Sequence, residues 1–459
     1  MNRVRFAPSP TGSLHLGSLR TAIVNFLFAQ KTQATLVLRI EDTDKQRSTD
    51  ESTAVILENL QWMGLSFDEG PFFQSERTPL YLDHVKKLVQ LGKAYPCFCT
   101  DSDKIEGMIK DPCKNIGKTE AETRIREHQP FTIRLHIPDT QIQFVDLIKG
   151  KVSFKGENLE DFIIARTDGS VTYNFAVVVD DHEMGITHVI RGEDHLPNTP
   201  KQIALYQAFG WNLPAFAHLP LIIGPDKTKL SKRHCDTAIE DYKQKGYLPE
   251  TIFNYLALLG YSHDPAHPIQ SLDQLIQNFA WEKISRSASQ FDLQRLIWMN
   301  KQILDRIPDH DYYLKALSWI PDNALTEEKK KAILLLSRNQ IRLWSDIPSV
   351  FQIFTEPSSQ ELSLFNTVFQ KSGSLLFLKD LLTSLSASDF SLESLQDIME
   401  EIINRMQLKK REAIQWVRIA VTGSTVSPSL YETMQLLGKE EVLCRMGKFL
   451  EQGNSHEKQ

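Results

Sequence analysis

Hydrophobic and polar positions follow two different periods in the first part of the chain. Val4, Arg5, Phe6 and Ala7 make a short run closed by Pro8 and Pro10, the pattern of a buried parallel strand ending in a loop. From His15 to Ala29, Leu16, Leu19, Ile23, Phe26 and Leu27 recur at helical spacing without an intervening proline, which predicts a helix. Thr35 to Ile40 (TLVLRI) then predicts a second strand, completing a strand-helix-strand unit.

Further along, residues from about Pro96 to Thr187 read as an insertion with strand character at Phe131 to Ile137 and Ile163 to Arg166, and again at Thr172 to Val179 and Thr187 to Arg191. After Lys245 the pattern turns helical: Ile252 to Leu259, Phe291 to Asn300, Ala332 to Trp344, Leu362 to Val368, Leu395 to Met406 and Leu430 to Leu437. The expected fold class is therefore α/β followed by all-α.

Composition narrows the class. At 459 residues the chain needs three or four domains, and 41% hydrophobic with 24% charged residues excludes a disordered or fibrous protein. Charge and proline in MNRVRFAPSP leave no secretory signal, and no run approaches the ~18 apolar residues of a membrane span, so a cytoplasmic protein without a membrane partner is expected. Five cysteines are too few for a disulfide framework. The net charge of -6 announces no polyanionic partner, so any such partner must be met by local patches.

Two stretches carry the candidate chemistry. In Arg5-Phe6-Ala7-Pro8-Ser9-Pro10-Thr11-Gly12 followed by His15-Leu16-Gly17-Ser18, a strand end opens into a helix N-terminus, where free N–H groups and a partial positive charge favour phosphate. Gly17 lets a base or ribose approach the backbone, and Thr11 and His15 are donors for phosphate oxygens. The second stretch, Asp226 to His234, holds Lys227, Lys229, Lys232 and Arg233, the cations that phosphoryl chemistry needs against developing negative charge.

His15-Leu16-Gly17-Ser18 resembles the HIGH signature, and Lys229-Leu230-Ser231-Lys232-Arg233 the KMSKS signature, of class I aminoacyl-tRNA synthetases. RFAPSPTG and the later LRIEDTD, YNFAVVVDD and HVIRGEDH stretches are similar to the glutamyl and glutaminyl branch, over most of residues 1 to 300. This resemblance implies a Rossmann-type catalytic domain split by an α/β insertion, then helical stem-contact and anticodon-binding domains. The expected boundaries are 1–95 and 188–243 for the catalytic halves, 96–187 for the insertion, 244–310 for the stem-contact domain and 311–459 for the anticodon-binding domain. It also implies ATP with Mg2+, L-glutamate and tRNA(Glu) as partners of a monomeric ligase, with Thr11, His15, Lys229 and Lys232 catalytic and His15, Gly17, Ser18 and Lys229 to Arg233 on ATP. Ser18 stands where the signature has its last histidine, and Cys235 where relatives commonly have glycine.

Glutamate presents two carboxylates and an ammonium, so its pocket needs guanidinium forks; Arg5 and Arg191, both at strand ends, are the candidates. Resemblance adds Ala7, Ser9, Glu41 for the ammonium, and Tyr173. Cys97, Cys99, Cys113 and His128 offer the donors of a tetrahedral zinc site, but residues 114–129 contain no second Cys-x-Cys or Cys-x-His pair, so buried thiols are expected and zinc is the alternative. In the rear half, Lys329 to Lys331, Arg338, Arg342, Lys409, Lys410, Arg411 and Arg418 form basic regions for tRNA, with Trp344 and Trp416 as stacking candidates.

Overall fold

The computed structural model describes residues 1–44, 48–100, 104–105, 108–109, 112–137, 141–154, 160–231, 233–355, 368 and 373–456. It divides into two compact units, Met1–Lys243 with Pro249–Leu293, and Gln244–Leu248 with Gln294–Gln459.

The first unit is built on a seven-stranded sheet. In chain order its strands are β1 (Arg3–Phe6), β2 (Thr35–Ile40), β3 (Glu69–Phe73), β4 (Ile142–Asp146), β5 (Gly150–Phe154), β6 (His188–Gly192) and β7 (Ala215–Leu219). Their spatial order is β3-β2-β1-β6-β7-β4-β5, parallel except for the β4–β5 hairpin at one edge. Strands buried on both faces of a parallel sheet read as continuous apolar runs, as in TLVLRI, where Leu36 to Ile40 are all buried. Residues 142–154, from within the expected insertion, thus extend the main sheet. Three further strands, Ala94–Cys97, Thr132–Leu135 and Phe162–Ala165, make a separate three-stranded sheet, and Lys104–Ile105 pairs with Met108–Ile109.

Helix α1 (Leu16–Thr32) follows β1 as the spacing predicts. No side chain caps it; the first helical N–H, on Leu16, instead donates to the Thr237 carbonyl at 3.1 Å, which satisfies a group that would otherwise lack a partner.

The segment expected as a strand at Thr172 to Val179 is a helix, α2 (Tyr173–Glu183). Phe175 to Val179 are each at most 1% exposed. A run buried on every side has no amphipathic period, and β-branched residues alone do not separate a short buried helix from a strand.

The second unit is all-helical. Its helices include Leu293–Leu304, Glu327–Ser337, Ser374–Ala387, Leu392–Arg405, Lys410–Thr422, Leu430–Leu437 and Lys439–His456 around one core. The helix expected over 332–344 stops at Ser337, where the Gln340 N–H turns back to the Ser337 carbonyl at 2.8 Å. The one expected over 362–368 lies outside the described residues except for buried Val368. Trp344 and Trp416 offer no face to an RNA base: both are core residues, against Tyr312 (centroids 5.0 Å apart) and Phe377 (5.9 Å). Among the described residues no helix is long and apolar enough to cross a membrane.

Candidate active site

The carboxyl ends of β2, β1, β6 and β7 lie side by side, the edge where open parallel sheets bind ligands. Arg5 and Arg191 are each one residue from the end of β1 and β6, Glu41 follows β2, and Tyr173 opens α2. Ala7 and Ser9 sit on the loop out of β1, where the Pro8 carbonyl accepts from the Glu41 N–H at 2.9 Å.

Arg5 and Glu41 belong to a buried ionic array whose other members, Arg39, Arg77, Asp180 and Asp181, are absent from the candidates named from the sequence. Arg39, 0% exposed, donates to Asp181 Oδ1 at 2.8 Å and to Glu41 Oε1 at 3.1 Å, and its Nε lies 3.7 Å from Asp180. Asp181 also takes the Arg5 Nε at 3.1 Å. Asp180 is ringed by Gln74 (2.8 Å), Arg77 (2.7 Å) and Tyr81 (2.8 Å). Three guanidinium groups thereby meet three carboxylates. Burial alone would raise the Asp181 carboxyl, but Arg5 and Arg39 outweigh it and hold it below the ordinary range. For Glu41 burial prevails and the carboxyl is raised. The available signal was the charge within apolar runs, Arg39 in LVLRI and Asp180-Asp181 after FAVVV, since a charge in such a run is buried and needs a partner.

Arg191 differs. Its Nε donates to His218 at 3.1 Å and one Nη to Thr199 at 2.9 Å, while its other Nη is buried with no protein acceptor. Among the described residues it has no carboxylate at ion-pair distance, only the longer-range fields of Asp181 and Glu41, and it keeps a spare donor, the requirements for receiving a carboxylate ligand. Tyr173 OH lies 3.1 Å from His195 Nδ1. Burial and then nearby Arg191 push His195 down to about 4, so its ring is neutral at pH 7.

Thr11, His15, Gly17 and Ser18 are exposed at the start of α1. A Cβ on Gly17 would meet no protein atom within 4 Å, so the fold itself does not require glycine there. Residues after the second signature return to this point. Besides the Leu16–Thr237 bond, the Ile239 N–H donates to the Leu14 carbonyl at 3.1 Å, and His15 bridges Ala238. Two stretches about 200 residues apart in sequence are thus joined. Lys229 lies 3.5 Å from Asp194, and Leu230 donates its N–H to the Ile222 carbonyl at 3.0 Å. Ser231 donates its N–H to His234 Nδ1 at 3.2 Å, while Arg233 is folded back on Asp226 at 2.9 Å. Lys232 lies outside the described residues. Cys235 receives the Tyr242 hydroxyl at 3.7 Å.

The Sγ atoms of Cys97, Cys99 and Cys113 lie within 4.8 Å of one another. His128 is not in that group; it is exposed, in a left-handed turn.

The chain matches the model of the class I tRNA synthetases (E and Q), catalytic domain, over residues 1–298, and that of the anticodon binding domain over residues 303–450. It therefore belongs to the class I tRNA synthetases of the E and Q type. Within them it groups with the glutamate enzymes. It is 43% identical to glutamate–tRNA ligase 1 of Syntrophus aciditrophicus, covering 97% of this chain and 96% of that one. With glutamate–tRNA ligase 2 of Caldicellulosiruptor saccharolyticus the identity is 38%, over 98% and 99% of the two chains. The crystal structure of a glutamate tRNA ligase from Elizabethkingia meningosepticum in complex with its amino acid superposes with a TM-score of 0.85 at 30% identity, covering 98% of this chain and 99% of that one.

Proposed function

We propose that the chain is a glutamate–tRNA ligase that activates L-glutamate with MgATP and transfers it to the 3′-terminal adenosine of tRNA(Glu), as a cytoplasmic monomer. The observation that carries the glutamate reading is Arg191: a buried guanidinium with no directly paired carboxylate and a free donor, at the same sheet edge as Glu41 and Arg5. Arg191 and Arg5 take the substrate's carboxylates, Glu41 its ammonium, and Tyr173, Ala7 and Ser9 complete the pocket wall.

In the first step an oxygen of the glutamate α-carboxylate attacks the α-phosphorus of ATP. A new carboxyl–phosphorus bond forms, the bond to the bridging oxygen breaks, and pyrophosphate leaves with its electron pair. A carboxylate is already a nucleophile, so the protein supplies position and charge and needs no general base. Thr11 and His15 at the start of α1, with Lys229 and Lys232, stabilise the developing phosphate charge, while Gly17, Ser18, Leu230, Ser231 and Arg233 frame the nucleotide. In the second step a ribose hydroxyl of the tRNA takes the glutamyl group and AMP departs.

The test is ATP–pyrophosphate exchange with glutamate, glutamine or neither, with and without tRNA(Glu). Exchange that depends on glutamate is expected; none with glutamate, or a preference for glutamine, overturns the reading. Lys232→Ala should depress adenylate formation far more than tRNA binding, and equal losses would remove Lys232 from the catalytic set.

A further inference from the structure

The two side chains that accept directly from Arg191, His218 and Thr199, are both uncharged, and the hydrogen-bond directions show how. An arginine only donates, so His218 Nε2, 3.1 Å from Arg191 Nε, presents its lone pair. The ring proton of the neutral imidazole is then on Nδ1, which faces Asp146 Oδ2 at 2.6 Å. Asp146 is itself fixed, since its Oδ1 accepts the N–H groups of Ile148 and Lys149 at 2.9 and 2.8 Å. Thr199 Oγ1 accepts from Arg191 and lies 3.1 Å from the same imidazole nitrogen. The side chains of His218 and Asp146 are both 0% exposed. Burial lowers the basicity of His218, in keeping with a neutral ring.

The contrast with Arg5 gives this arrangement its meaning. Arg5 rests on a carboxylate, Asp181, and its charge is met within the protein. A carboxylate in the place of His218 would meet the charge of Arg191 in the same way, whereas a neutral imidazole aims the guanidinium and leaves its charge for a ligand. Strand pairing builds the support into the sheet: Arg191 on β6 is registered against His218 on β7, and Asp146 on β4 against Phe216 of β7.

We propose that Asp146, His218 and Thr199 are positioning residues that hold Arg191 in place without neutralising it, so that it binds a carboxylate of glutamate. This rests on the assignment of Arg191 to glutamate above, and the test separates the two. ATP–pyrophosphate exchange is measured on the full chain, with tRNA(Glu) present, for wild type, Arg191→Ala, His218→Asn and His218→Gln, together with each melting temperature. Asparagine keeps an amide N–H near the position of Nδ1 but offers Arg191 nothing, while glutamine places its amide oxygen near the position of Nε2. Losing a hydrogen bond to a charged group corresponds to roughly 10- to 100-fold. His218→Asn should therefore raise the glutamate KM about tenfold or more and move the ATP KM less than about twofold, and His218→Gln should recover most of the loss. If Arg191→Ala leaves the glutamate KM unchanged, the assignment of Arg191 falls and the proposal with it. If Arg191→Ala raises that KM but His218→Asn does not, or if both His218 variants raise the glutamate and ATP KM together as their melting temperatures drop, the positioning role is overturned while the assignment of Arg191 stands.

Discussion

Arg39 stands at the centre of the charges beside the proposed glutamate pocket, paired with Asp181, Glu41 and Asp180. Removing one member of a buried, hydrogen-bonded ion cluster leaves the others desolvated and unmatched, at a cost of about 3–5 kcal/mol. Arg39→Met should lower stability by that order in denaturant unfolding at pH 7; a loss below about 1 kcal/mol would show that the array is solvated. Because the Asp181 carboxyl is held below its ordinary value near 3.9, its contribution is present in full at neutral pH and is lost as pH falls through its folded value. His195 acts over a different window. With its folded value near 4 and an unfolded value near 6.5, the unfolded chain binds the extra proton between them, so stability falls as pH is lowered through that range. His195→Asn should flatten the drop in melting temperature between pH 7 and pH 5, and an unchanged drop would place the titration elsewhere. The residues proposed to hold substrate were legible in the sequence because they sit in distinctive motifs. Arg39 showed only as a charge inside an apolar run, and Asp146, Thr199 and His218 were not legible, because nothing in their spacing says which elements become neighbours.

At the scale of elements, the strands and helices that sequence periodicity located are those with one dominant face or one continuous apolar run, such as TLVLRI and Leu430–Leu437. The same criterion explains the failure at α2, whose buried residues surround the helix. It also explains Trp344 and Trp416: a tryptophan beside arginines reads equally well as a stacking platform or as core, and only packing against Tyr312 and Phe377 separates the two. Gly246 packs closely in the same second unit. It has φ +76°, and a Cβ there would lie 2.6 Å from Trp344 Cβ and 2.8 Å from its backbone nitrogen, neither of which is a flexible chain end that can swing away. Gly210 has a similar φ of +71° but open space around it. Gly210→Ala should therefore cost only about 1 kcal/mol, for the left-handed backbone, and Gly246→Ala about 2–4 kcal/mol because the steric clash adds to it. Equal losses in thermal unfolding would mean that the Trp344 segment yields without strain.

For the whole molecule, a protein with a formal charge of -6 must bind a polyanion through local patches, and the second unit shows which cations are free for this. Arg338 is not: it pairs with Asp309 at 2.6 Å, donates to the Leu304 and Ile307 carbonyls and lies 4.4 Å over the Tyr312 ring. Lys410 is paired with Glu400, and Arg418 is tied to Ser427 at 3.0 Å. Lys409 and Arg411 are exposed, and the contact of Lys409 with Glu412 is long, at 3.6 Å. Each phosphate contact releases condensed counterions, so the logarithm of affinity falls with the logarithm of salt by about 0.7–0.9 per contact. The double variant Lys409→Ala, Arg411→Ala should weaken tRNA(Glu) binding by about tenfold near 0.15 M salt and make the salt slope about 1.5 shallower, with the glutamate and ATP KM unchanged at saturating tRNA. Arg338→Ala should instead lower the melting temperature and leave the salt slope as it was. A double variant that keeps the wild-type slope would move the RNA contact to another face of the helical unit.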